Sequence, residues 1–150
     1  DLQSIIKSKD IFQTLIEKFP NTEYAIDAKF KIDLINDILA SKEVYLGRYY
    51  VDRKKWIAAI NRFRTVVDKY DETVYAEEAL HRLVEIYYLL GIKEESKKYA
   101  ALLGYNYQSS QWYEKSYAIF DKMYELNKKE NEIKKRKQNS LLKKFKSLFE

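Results

Sequence analysis

The strongest constraint on the fold is an internal repeat. The stretch FQTLIEKFPNTEYAIDA, Phe12 to Ala28, aligns without a gap on FRTVVDKYDETVYAEEA, Phe63 to Ala79. Phe, Thr, Lys, Thr, Tyr, Ala and Ala recur at the same offsets, and most other pairs are conservative. A unit of this kind hides its apolar side only by stacking on its neighbours. Each copy reads as the end of one helix, a short turn and the start of the next. Phe19 and Tyr70 close the first helix on an aromatic, and Pro20 does not continue a helix. Thr22 and Thr73 stand where N-caps of the following helices belong. A weaker third copy runs from Tyr99 to Ser116, with Tyr107 in the place of Tyr70 and Trp112 in that of Tyr75. Spacing is 51 residues between the first two copies and 37 between the last two, so a longer helix is expected in the first interval.

Periodicity extends this reading along the chain. Helices are predicted near 3–19, 23–52, 55–70, 74–90, 93–104 and 111–136, with connections of two to six residues. Trp56, Ile60, Phe63, Val66, Val67 and Tyr70 keep helical spacing, as do Ala76, Ala79, Leu80, Leu83, Val84 and Tyr87. Gly91 sits where a helix C-terminus takes a left-handed residue. Three Gly and one Pro in 150 residues favour long helices over turns. No strand pattern of useful length appears. The expected fold is all-α: a solenoid of antiparallel helical hairpins, about three repeats over 1–136, and a basic helical tail over 137–150.

The residues give little support to catalysis. With no Cys there is no disulfide, thiolate metal site or thiol nucleophile in this sequence. His81 is the single histidine, too few for a typical metal site or a His-based triad. Its repeat position points into the groove beside Glu85 and Tyr88; a partly exposed surface position is the commoner setting for such a residue. Neighbouring carboxylates such as Glu77–Glu78 and Glu94–Glu95 point about 100° apart on a helix and do not converge. No Gly-rich phosphate loop, HExxH or GxSxG pattern is present. The expectation is a binding scaffold without cofactor or metal.

Charge is unevenly placed. Residues 128–150 hold nine Lys/Arg against three Asp/Glu, whereas 1–127 hold nineteen against twenty. The net charge of +5 therefore belongs to the tail. There, Leu141, Leu142, Phe145, Leu148 and Phe149 fall on one helical stripe, with Lys143, Lys144 and Lys146 on other faces. That pattern fits a helix lying on a membrane surface or in a partner; a solvated extension is the plain alternative. Nucleic acid is disfavoured, because no aromatic platform is interleaved with the basic run and the body is neutral. No apolar run approaches the roughly 20 residues that span a bilayer. The first residue is Asp1, so the chain is expected to start inside a longer protein or after processing.

Leu46, Gly47, Tyr50, Ala59 and Phe63 fall at the offsets of the tetratricopeptide signature, in which small residues let two helices approach and large ones fill the gap. The next unit keeps Leu83 and Tyr87 but departs at Val84, Ser96 and Ala100. Beyond that, KEVYLGRYYVDRKKWIAAINRFRTVVDKY, Lys42 to Tyr70, resembles the third repeat region of the BamD family, also called YfiO or ComL. EEALHRLVEIYYLLG and YAALLGYNYQSSQWY continue the resemblance in order, to about residue 120.

The resemblance implies a scaffold subunit of the outer-membrane β-barrel assembly (Bam) complex. It implies five repeats, of which this chain would hold the last three, and a lipidated N-terminal Cys outside it that anchors the protein to the periplasmic face of the outer membrane. It also implies BamA POTRA domains and other Bam lipoproteins as partners. Arg48, Arg53, Arg62, Arg64 and Lys69 are then candidates for ion-pair docking, because the guanidinium fork suits carboxylates. An i,i+4 pair such as Arg64–Asp68 is the bland reading of the same residues. The alternative function is a general tetratricopeptide adaptor that grips a peptide in its groove, lined by Arg48, Val51, His81, Glu85 and Tyr88.

Overall fold

The computed structural model describes residues 2–146, with side chains throughout except at 123–128, 130–131 and 141–146. Among the described residues the chain is six helices and no strand: α1 Leu2–Lys18, α2 Glu23–Asp52, α3 Trp56–Lys69, α4 Ala76–Leu89, α5 Lys93–Asn106 and α6 Gln111–Lys146. Each helix from α1 to α5 packs on the next, and α6 packs on both α4 and α5. Predicted boundaries hold to within two residues except at the end of α6, which runs ten residues past 136 without a break.

Local signals explain most of the turns. Thr22 caps α2, its hydroxyl accepting from the Ala25 N–H at 3.2 Å. Gly91 follows α4 with φ +76°, open to glycine without strain. Thr73 departs from its expected role. Its hydroxyl donates to the Tyr70 carbonyl at 2.7 Å, and the Ala76 N–H bonds the Thr73 carbonyl at 3.1 Å. The chain thus takes an extra turn, and α4 begins after Tyr75 with no side-chain cap.

The core lies where α2, α3, α4 and α5 meet. Val44, Ala59, Ile60, Phe63, Val66, Ala79, Leu83, Val84 and Leu103 form one buried cluster. Gly47 of α2 faces the Phe63 ring so closely that a Cβ there would lie 2.6 Å from it. Ser96, a departure from the repeat signature, is fully buried and donates to the Val84 carbonyl at 2.9 Å. Tyr87 and Tyr99 stack with ring centroids 5.6 Å apart, and burial raises the Tyr99 phenol above its ordinary pKa.

The first hairpin is less covered. α1 contains no buried residue, and α2 buries Ala25, Ala28, Ile35, Leu39, Ala40, Val44 and Gly47 on one side. On the opposite side of α2, Phe30, Leu34, Ile38, Tyr45 and Tyr49 are exposed. The i, i+4 and i, i+7 steps between them make one apolar stripe along the helix.

Candidate docking surface

The five predicted cations do not gather into one patch. Arg48 leaves the C-terminal half of α2 and takes Glu78 of α4 with both arms of its fork. Nε donates to Oε1 at 2.7 Å and Nη2 to Oε2. Glu78 is only 5% exposed, so this pair holds a buried carboxylate. Arg62 of α3 reaches back to Glu43 of α2 at 3.1 Å. Arg53, at the C-cap of α2, lies 3.5 Å over the Tyr49 ring as a cation–π contact. Arg64 is exposed two residues after Arg62, about 200° round the helix. Among the described residues it makes no ion pair with Asp68. Lys69, one heptad after Arg62, is exposed in the last turn of α3. Arg48 and Arg62 therefore brace helices with part of each side chain still in solvent, and Arg53, Arg64 and Lys69 stand outward.

The groove residues require a correction. Val51 is half-buried against the core, and His81 is 3% exposed. The face of α4 that carries His81, Glu85 and Tyr88 is covered by the first turns of α6. Trp112 packs on the His81 ring at 5.1 Å and Phe120 meets Tyr88 edge-on at 5.6 Å. His81 is thus neither a groove residue nor a partly exposed one. Among the described residues Trp112 finds its aromatic partner in His81. Tyr113 fits under Gly104, where a Cβ would lie 2.8 Å from its ring.

A polar network fastens this seat. His81 Nδ1 and Ser116 Oγ are 2.8 Å apart, and His81 Nε2 is 3.4 Å from Glu85 Oε1. Arg82 donates to Glu85 at 2.8 Å and lies over the Trp112 ring at 5.9 Å. Burial pushes the Glu85 carboxyl up, but bonds and charge from His81 and Arg82 outweigh it, and the pKa falls below the ordinary value. Ser116, His81 and Glu85 are the atom types of a hydrolytic triad, but Ser116 is fully buried with its hydroxyl against the His81 ring. Their work is to fix the register of α6 on α4. Ser110 completes the joint, its hydroxyl accepting from the Trp112 N–H at 3.1 Å and donating to Glu77.

Exposed surfaces among the described side chains thus include the α2 stripe, the outward cations and Glu132–Ser140 of α6. The tail residues Leu141, Leu142, Phe145, Leu148 and Phe149 lie outside the described side chains. Among the described residues no helix is long and apolar enough to cross a membrane, and no group of His, Asp or Glu could hold a metal.

A YfiO family model, described as an outer membrane lipoprotein, matches residues 1–103. The chain belongs to the YfiO outer membrane lipoprotein family. It is 54% identical over 112 residues to the outer membrane protein assembly factor BamD of Rickettsia prowazekii, covering 75% of this chain and 45% of that protein. It is 44% identical over 107 residues to the BamD of Caulobacter vibrioides, covering 71% of this chain and 35% of that one. The chain therefore spans less than half the length of these YfiO relatives. The YfiO match takes in α1 to most of α5, with the α2 stripe and all five cations; α6 lies beyond it.

Proposed function

We propose that this chain is a non-catalytic scaffold piece of the outer-membrane β-barrel assembly complex, which docks to the POTRA domains of BamA and supports folding and insertion of outer-membrane proteins. Family membership carries the reading, together with relatives named as assembly factors. Its mechanism is rigid presentation of helical surface, with no bond made or broken. The uncovered stripe of Phe30, Leu34, Ile38, Tyr45 and Tyr49, with Arg53 stacked at its end, supports it. Tyr and Arg beside aliphatic residues are what partner surfaces favour. The family's lipid anchor on the periplasmic face is part of the proposal and lies outside these 150 residues. Other Bam lipoproteins are the remaining partners.

The test is calorimetric titration of the chain with purified POTRA domains of the cognate BamA, at low and moderate salt. Saturable binding, weaker with added salt and with charge reversal at Arg53 and Arg64, is the expected result. These two are better probes than Arg48 and Arg62, whose reversal would set a carboxylate against Glu78 or Glu43. A chain folded by circular dichroism that fails to bind would refute the docking reading.

A further inference from the structure

α6 has two parts in different surroundings. Its root is anchored: Trp112 lies on His81, Ser116 is fully buried beside His81, and Phe120 meets Tyr88. Further on, every side chain from Glu132 to Ser140 is exposed, yet the helix continues unbroken to Lys146. The anchored root sets the direction of the exposed part. At 1.5 Å per residue, Lys137 stands about 26 Å along the helix from Phe120. The family match ends at residue 103, so this arm lies beyond the part that the docking reading uses.

The arm's charge is unlike the body's. Lys134, Lys135, Arg136 and Lys137 are consecutive and exposed, so steps of about 100° ring the helix with cations. Among the described residues none of the four is paired with a carboxylate. Like charges packed within one turn repel, and a helix polar on all sides gains nothing from packing. An anionic counter-surface relieves that repulsion. The sequence adds a second element just beyond, the stripe of Leu141, Leu142, Phe145, Leu148 and Phe149 with Lys143, Lys144 and Lys146 on other faces. Cations followed by an amphipathic apolar stripe match a lipid surface, where the charges meet headgroups and the apolar residues enter the acyl boundary. A nucleic acid would use the cations but leave the stripe without a role, and the run 128–140 offers no aromatic platform.

We propose that α6 is a rigid arm that holds the scaffold against an anionic membrane surface, with Lys134–Lys137 as the electrostatic contact and the apolar sequence that follows Ser140 as the inserted one. The test is co-sedimentation with phosphatidylcholine vesicles, with and without phosphatidylglycerol, at low and moderate salt. The full chain should bind the anionic vesicles, release them with salt and ignore pure phosphatidylcholine. Reversal of all four cations (Lys134→Glu, Lys135→Glu, Arg136→Glu, Lys137→Glu) should weaken partitioning roughly six-hundredfold or more, since each cation near such a surface contributes on the order of fivefold. Deletion of 141–150 should weaken it as well. Because Lys134–Lys137 are exposed, their reversal should leave the melt like the parent's, and circular dichroism checks the fold of both variants. No binding to anionic vesicles, or binding untouched by both variants, would overturn the proposal. Tighter binding to a duplex oligonucleotide than to the vesicles would overturn it in favour of nucleic acid.

Discussion

Replacing Gly47 by Ala tests how tightly the second hairpin closes. The new methyl would sit 2.6 Å from Cε1 and Cζ of Phe63 and 3.0 Å from Cε2. Carbon atoms prefer about 3.5–4.0 Å, so the overlap is on the order of 1 Å. Phe63 is fully buried in the cluster that holds Val44, Ala59, Ile60 and Val66. Overpacking of this kind costs about 1–3 kcal/mol. Against it stands the helix preference of Ala over Gly, about 1 kcal/mol in a helix interior. The net expectation is a loss of up to about 2 kcal/mol, or roughly 2–4 °C in Tm for each kcal/mol at this size. Urea unfolding and thermal melts followed by circular dichroism read both. The decisive arm is Phe63→Leu, which removes the ring that the methyl strikes. In that background Gly47→Ala should become neutral or stabilising, a coupling of about 1 kcal/mol or more. Stabilisation by Gly47→Ala in the parent, or the same effect in both backgrounds, would refute the close approach as the reason for glycine.

The ion pairs yield two further expectations. Arg48→Ala should destabilise by about 1.5–3 kcal/mol in urea unfolding, because Glu78 is left buried with its main partner gone; Arg64→Ala should stay within about 0.5 kcal/mol. For Glu85 the folded pKa lies below the unfolded value, so its contribution is complete above the ordinary carboxylate range and is lost as pH falls through the lowered value. A series of melts toward acid should show this, and Glu85→Gln should flatten that part of the profile; an unchanged profile would show that the His81 and Arg82 contacts carry no linkage.

Much of the scaffold was legible in the sequence because its signals are local. The repeat pairs Ala25 with Ala76 and Ala28 with Ala79, and all four are buried. Thr22, Gly91 and the Gly47–Phe63 pair could be read because each depends on near neighbours or on a repeat offset. Arg48 was legible as a docking candidate, but not as the partner of Glu78, which is 30 residues away. Nothing at Glu78 itself distinguishes it from its neighbour Glu77.

His81 shows the same limit from the other side. As a lone histidine on a helix it carries no sign of burial, and only the return of α6 across α4 places Trp112 and Ser116 upon it. Periodicity, caps and charge are properties of contiguous residues, so the helices, their hairpin order, their family and the basic arm could all be read from the chain itself. Which faces are covered was settled only by packing: the groove filled by α6, the α2 stripe left open, and the cations divided between braces and free surface. Those arrangements depend on contacts between residues tens of positions apart, whose partners are chosen by packing geometry rather than by any local preference.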